Sequence, residues 1–88
     1  MKLGLEGKIA IITGGSDGIG KAAALSMSQE GARVAIAARD QSRLDKAVSD
    51  ISAQTHNPVL GISTDIRDED AVRSLISQVV NQWGGIDI

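Results

Sequence analysis

The sequence predicts an α/β fold in which strands alternate with helices around a parallel sheet, in the order β-α-β-α-β-α-β. Three observations carry that expectation. The run Ile9-Ala10-Ile11-Ile12-Thr13 is short, apolar and rich in β-branched residues, the composition of a strand buried on both faces. It stops at a glycine-rich turn, and a helix-forming segment, Lys21-Ala22-Ala23-Ala24-Leu25-Ser26-Met27, follows at once. The alternation of apolar run and helical run then repeats, and strands joined through helices run parallel by a right-handed crossover.

Leu3 and Leu5 flank Gly4 and lead through Glu6-Gly7-Lys8 into the first strand, Ile9 to Thr13. The first helix is expected from about Gly18 to Glu30, ending at Gly31, which suits a left-handed C-terminal cap. Ala22 with Leu25, and Ala23 with Met27, offer a small-residue face that can lie close on a sheet. Ala32 to Ala38 reads as the second strand. Asp40 or Ser42 can cap a second helix, with Ser42 and Asp45 spaced as a capping box. In that helix Leu44, Val48 and Ile51 share one face, while Asp45, Lys46, Ser49 and Asp50 occupy the other. Thr55-His56-Asn57-Pro58 ends it, and Val59 to Thr64 reads as a third strand. Asp65-Ile66-Arg67-Asp68 is a turn into a third helix, from about Glu69 to Trp83. Val72, Leu75, Ile76, Val79, Val80 and Trp83 recur there at helical spacing, the strongest amphipathic signal in the chain. Gly84-Gly85 stops the helix, and Ile86-Asp87-Ile88 opens another strand-like run. A pattern cut at its fourth strand predicts the N-terminal part of a larger domain, with apolar strand faces and one sheet edge left uncovered.

Composition narrows the function. Eighty-eight residues make at most one small domain, of a size that buries roughly 60–70% of its unfolded surface. A net charge of −2 gives no basic footprint for nucleic acid and no polybasic patch for a membrane. With no Cys, disulfides, thiol chemistry and thiolate metal sites are excluded. No apolar run approaches the ~20 residues that span a bilayer, and Met1 to Gly7 lacks the apolar region of a signal peptide, so a cytoplasmic protein is expected. The chain holds one Trp, no Phe and no Tyr, so no mechanism that needs a phenol can run on these residues alone.

The chemistry concentrates between the first strand and the first helix. The first N–H groups of a helix have no intrahelical partner, and with the helix dipole they form an anion site. Gly14, Gly18 and Gly20 would let main-chain amides approach a phosphate with no Cβ in the way. Two phosphate motifs compete for the stretch. Gly15-Ser16-Asp17-Gly18-Ile19-Gly20-Lys21 satisfies the G-x-x-x-x-G-K of a P-loop, but Ala22 stands where a hydroxyl should hold Mg²⁺ and Asp17 puts negative charge in the cradle. The other motif is a dinucleotide site, with the glycines spaced G-x-x-x-G-x-G instead of the commoner G-x-G-x-x-G.

Thr13-Gly14-Gly15-Ser16-Asp17-Gly18-Ile19-Gly20 resembles the T-G-x-x-x-G-I-G signature of the short-chain dehydrogenases/reductases. Leu5-Glu6-Gly7-Lys8-Ile9-Ala10 is similar to that family's lead into its first strand, Asp65-Ile66 to the pair after its third, and Gly84-Gly85-Ile86-Asp87-Ile88 to the opening of its fourth. The resemblance implies the N-terminal part of a doubly wound parallel (Rossmann) sheet, residues 1–88 being a portion of an NAD(P)-binding domain without its catalytic half. It implies a cofactor loop of Gly14, Ser16, Asp17, Gly18, Ile19 and Gly20, with the glycines on the pyrophosphate and Ile19 offering backbone contact near the nicotinamide side. It also implies that Asp65 accepts from the adenine amino group and that the Ile66 amide faces the same ring; on the residues alone Asp65 is a turn residue or a helix N-terminal charge.

Cofactor choice turns on the end of the second strand, about 20 positions past the glycines, where an acid accepts from the NAD ribose diol and an Arg attracts the NADP phosphate. The family's acid position aligns with Ala38 and its Arg position with Arg39, leaving Asp40 as a helix cap, so NADP is expected first and NAD second. Against this, many NADP-dependent relatives place a basic residue where this chain has Asp17. His56 reads as a surface residue and Trp83 as packing. Asp65, Asp68, Glu69 and Asp70 read as first-turn acids, so no metal is expected. The family's catalytic Tyr, Lys, Ser and Asn all lie after the fourth strand, so no catalytic residue is assigned. The expected function is thus the cofactor-binding portion of an NAD(P)(H)-dependent oxidoreductase interconverting an alcohol and a ketone, 3-oxoacyl carrier-protein reductase-like being one possibility. Its partners would be a small-molecule substrate and further copies of itself, as a dimer or tetramer, with no nucleic acid and no membrane. The alternatives are a non-catalytic dinucleotide-binding or interaction module and a degenerate P-loop protein.

Overall fold

The computed structural model describes residues 4–14 and 16–88; Leu3 and Gly15, which the sequence reading used, lie outside them. The elements are β1 (Ile9–Thr13), α1 (Gly18–Gln29), β2 (Arg33–Ala38), α2 (Gln41–Thr55), β3 (Val59–Ser63) and α3 (Glu69–Trp83). They follow the sequence expectation to within a residue or so at each end. The strands form one parallel sheet in the order β1-β2-β3, with Ile9 opposite Arg33 and Val34 opposite Val59.

The central strand explains why the apolar runs lack alternation. Val34, Ala35, Ile36 and Ala37 are all fully buried, because β2 is covered on both faces. Val34 and Ile36 pack with Ala24 of α1 and with Leu44, Ala47 and Ile51 of α2. Ala35 and Ala37 point the other way, against Leu75 and Val79 of α3 and Ile9 of β1. The three layers are therefore α1 and α2, the sheet, and α3. Burying Ile36, Leu44 or Ile51 stabilises the fold by roughly 1.5–3 kcal/mol each. Gly61 of β3 marks the closest approach of α2, since a Cβ there would lie 2.8 Å from a Val48 methyl.

A polar clasp joins the ends of α1 and α2 at the rear of the sheet. Ser28, fully buried, donates from Oγ to Thr55 Oγ1 at 2.8 Å, and Asn57 Nδ2 donates to the Ser28 carbonyl at 2.7 Å. His56 takes a left-handed conformation as the C-terminal cap of α2 and is exposed, which suits the surface role expected of it.

Some local expectations need correction. The face of α1 that meets the sheet side is Ala24 and Ser28, flanked by half-buried Leu25 and Met27; Ala22 and Ala23 are exposed, one position off the packed stripe. The Ser42–Asp45 capping box does not form. Asp40 caps α2, Ser42 Oγ donates to Asp40, and Asp45 instead accepts from Gln41 Nε2. On α3 the predicted apolar stripe is wider than the packed one: Leu75 and Val79 are buried, whereas Ile76 and Val80 remain 44% and 40% exposed.

Residues 86–88 form no assigned strand, yet they begin to pair along the outer edge of β1. The Ile9 carbonyl accepts from the amides of Asp87 and Ile88, at 2.8 and 3.1 Å, and the Ile11 amide donates to the Ile88 carbonyl at 3.1 Å. That pattern is parallel. Asp87 Oδ2 adds a bond from the Ile9 amide at 2.9 Å. The fourth element thus adds beside β1, on the side of the sheet away from β3.

Candidate cofactor site

All three helices start at the same end of the sheet, beyond the C-terminal ends of the strands, where ligands of open α/β sheets bind. At each start an Asp occupies the N-cap: Asp17 for α1, Asp40 for α2 and Asp68 for α3. Asp40 accepts from the Arg43 amide at 3.2 Å and from Ser42 Oγ at 2.9 Å, and these bonds hold its carboxyl below the usual carboxylate range. Asp68 accepts from the amides of Asp70 and Ala71 at 3.0 and 3.3 Å. Asp17 makes no such bond. Its carboxylate reaches instead to Arg43 Nη1 at 3.0 Å.

The start of α1 is therefore open. Lys21 is the first residue of its opening turn to find an acceptor, the Asp17 carbonyl at 3.1 Å. Among the described residues the amides of Gly18, Ile19 and Gly20 find none outside the helix, so they are available to an anion. Gly14 and Gly18 have φ of +70° and +53°, conformations that cost a side-chain-bearing residue energy, and a Cβ at either would meet nothing within 4 Å. Their bareness serves no internal packing. Gly14 is anchored by its amide, which donates to the Ala37 carbonyl at 2.7 Å. Ile19 is 91% exposed, an apolar side chain with no cover in this chain.

Beside this turn lies an open cleft of about 210 Å³, lined by Gly14, Ala37, Ala38, Arg39, Thr64 and Ile66. It brings together the ends of all three strands. Three predicted residues line it: Gly14, Arg39 and Ile66. Ser16, Asp17, Gly18, Ile19 and Gly20 belong to the adjoining turn and helix start, and Asp65 sits between two lining residues. Ala37 and Thr64 were not singled out from the sequence. Their only signal is small size, and Thr64 closes the floor with its amide on the Ala38 carbonyl at 2.8 Å. The Arg39 guanidinium makes no hydrogen bond or ion pair among the described residues, whereas its neighbour Asp40 is committed to its helix.

Asp65 is held by one residue. Arg67 donates from Nε and Nη2 to its two oxygens, both at 3.1 Å, and from its amide at 3.0 Å. Those bonds, aided by the charge of Arg39, lower its carboxyl to about 2. A carboxylate has about four acceptor positions, so one stays free for a further donor.

The P-loop alternative loses ground in this geometry. Lys21, which a P-loop would aim at phosphate, instead pairs with Asp50 of α2 at 2.7 Å. The acids around α3 are spent on caps and pairs, Glu69 with Arg73 at 3.1 Å among them, and among the described residues no His, Asp or Glu cluster could hold a metal. A larger opening, of about 370 Å³, lies at the outer edge of β3 against the end of α3, but its lining of Leu60, Gly61, Ile62, Gln78, Asn81 and Gln82 carries no charge. No helix among the described residues is long and apolar enough to cross a membrane.

Comparison with known proteins points the same way. The sequence profile of the family described as short chain dehydrogenase matches residues 8–88. A 3-dehydrosphinganine reductase of Arabidopsis thaliana is 42% identical over the whole chain, which covers 26% of that protein. A (+)-cis,trans-nepetalactol synthase of Nepeta racemosa is 39% identical over the whole chain, which covers 31% of it. The crystal structure of L-sorbose reductase from Gluconobacter frateurii, complexed with NADPH and L-sorbose, superposes with a TM-score of 0.94 at 34% identity, over 99% of this chain and 33% of that one. The chain thus spans about a third of the length of such relatives.

Proposed function

The chain belongs to the short-chain dehydrogenase/reductase family, and on that premise we propose that it is the dinucleotide-binding portion of an NADP(H)-dependent oxidoreductase that interconverts an alcohol and a ketone. The observation that carries the reading is the open N-terminus of α1 beside a cleft lined by Arg39, whose guanidinium has no partner among the described residues. The residues fit the group. Free amides at Gly18, Ile19 and Gly20 suit a diphosphate, and the small residues Ala37, Ala38 and Thr64 leave room for an adenosine. The free acceptor position of Asp65 suits an amino donor, and Arg39 suits a phosphate on the ribose 2′ oxygen. When bound, the nicotinamide cofactor supplies hydride transfer. This chain's own residues bind and orient it.

Relatives that align with the whole chain carry names as different as a reductase of 3-dehydrosphinganine and a synthase of nepetalactol. What they share with this chain is the third that holds the turn and the cleft, which supports assigning that third to the cofactor and leaving the choice of substrate to the rest. NADP over NAD is supported by the free Arg39, by Asp40 being occupied as a cap, and by the NADPH named in the complex of L-sorbose reductase. A cytoplasmic location and a homodimer or homotetramer complete the proposal. Cell fractionation and sedimentation test those two points.

The central test is titration with both dinucleotides. Arg39→Ala is expected to weaken NADP binding by about 10- to 100-fold, the worth of a charge-assisted bond, and NAD binding by far less. Equal losses for both cofactors would remove the 2′-phosphate role.

A further inference from the structure

Asp is among the best N-cap residues, and the two other helices of this chain show it at work: Asp40 and Asp68 each accept from an amide in the first turn of their own helix. Asp17 occupies the same position on a more extended backbone, with φ and ψ of −142° and 161° against −92° and 108° at Asp40 and −96° and 112° at Asp68, and it leaves the amides of Ile19 and Gly20 alone. Its carboxylate is also taken. Arg43, from the first turn of α2, donates from Nη1 to Asp17 Oδ2 at 3.0 Å across 26 residues of sequence. The same guanidinium lies 3.8 Å from Asp40, so it is steered from both sides.

We infer that Arg43 is a positioning residue that keeps the anion site open, by holding the Asp17 carboxylate off the amides at the start of α1. The inference rests on the reading of that helix start as the diphosphate site. Without Arg43 the carboxylate would turn onto Ile19 and Gly20, and the cofactor would have to displace a negative charge already seated there. An exposed ion pair contributes little stability of its own, and a cap contributes about 1 kcal/mol. Losing the pair while gaining the cap therefore leaves the fold at least as stable, which separates this role from a merely structural one.

The test is Arg43→Gln, which keeps the backbone amide that Asp40 caps. Three properties are followed: binding of NADP and NAD, hydrogen exchange at Ile19 and Gly20, and thermal stability. Expected are a loss of about fivefold in affinity for both dinucleotides, the worth of a typical cap, slower exchange at those two amides, and no fall in melting temperature. Asp17→Ala in the Arg43→Gln background, which removes the competing carboxylate, is expected to restore binding of both cofactors and fast exchange. Unchanged exchange at Ile19 and Gly20, or a binding loss that Asp17→Ala leaves in place, overturns the inference. Failure of the wild-type chain to bind either dinucleotide would overturn the proposed function, and this inference with it. Wild-type binding that Arg43→Gln leaves intact overturns this inference alone.

Discussion

The β1–α1 junction and the two later strand-to-helix junctions are built from the same parts and finished differently. Each brings a strand end to an Asp and then to a helix, at one end of one sheet. At α2 and α3 the Asp folds back onto the first turn, and the helix is closed for stability. At α1 it points away, positive-φ glycines stand in open space, and the amides of Gly18, Ile19 and Gly20 are left unmet among the described residues. The lesson is that N-cap identity does not decide whether a helix end is closed. At α1 the cap residue is more extended, with φ of −142° against −92° and −96° at the other two, and its carboxylate lies with Arg43 at 3.0 Å. A helix start left open carries a stability cost that a bound anion would offset.

The sharpest way to break the comparison is to fill the open turn. Gly18→Val places a β-branched side chain at φ of +53°, in open space at the start of α1. Gly84→Val, at the C-terminal cap of α3, is the matched control: φ is +91° and its Cβ site is equally empty. Each substitution is expected to cost about 1–2 kcal/mol of stability through left-handed strain. Only Gly18→Val should weaken cofactor binding, by about 10- to 100-fold, as one or two lost charge-assisted hydrogen bonds would. Fluorescence titration with NADPH reads the binding and denaturant unfolding reads the strain. Equal effects of the two valines on binding would mean that the turn at α1 holds no ligand.

A smaller effect comes from the caps themselves. Asp68→Ala removes bonds to two amides and is expected to lower stability by about 1 kcal/mol. Asp17→Ala, at the same position of α1, removes only an exposed ion pair and should change stability by about 0.5 kcal/mol or less. Urea unfolding of the two variants compares them directly. A loss for Asp17→Ala as large as for Asp68→Ala would place the first helix with the other two.

Much of this was legible in the sequence. The strands declared themselves as short apolar runs because the sheet is covered on both faces, and Leu44 and Ile51 marked the packed face of α2 by their spacing. The glycine turn was legible because few other functions need bare main chain between a strand and a helix. The state of α1's first turn was not. From the sequence Asp17 is a negative charge in the cradle, and its partner Arg43 lies in another helix, where only the crossover of the chain brings it near. The cleft lining was also hidden, since Ala37 and Thr64 act through smallness and carry no chemistry of their own. On α3 periodicity marked Ile76 and Val80 as apolar, but which apolar positions find cover depends on neighbours that a helix-period reading does not see.

The smallest effect concerns the one acid in the cleft region whose charge is fixed by a dedicated partner. Asp65 titrates near 2 because Arg67 grips it with a guanidinium and an amide, against an ordinary value of 3.8. A carboxyl depressed in this way favours the folded state wherever it is ionised in both states. The contribution is therefore complete above about pH 4 and disappears as the pH falls through the folded value, near 2. Asp65→Asn should thus melt at a slightly lower temperature than wild type at pH 7, and the two curves should converge between about pH 4 and pH 2. Because the carboxylate is partly exposed and its Arg67 partner largely so, the gap should also narrow in high salt. Asp40 is depressed by its own cap bonds and loses its contribution as the pH falls in the wild type and the variant alike, so it cancels from the difference. A gap that persists unchanged to pH 2 would mean that Asp65 acts through the shape of the turn between β3 and α3. The charge that Arg67 holds beside the cleft would then have no part in it.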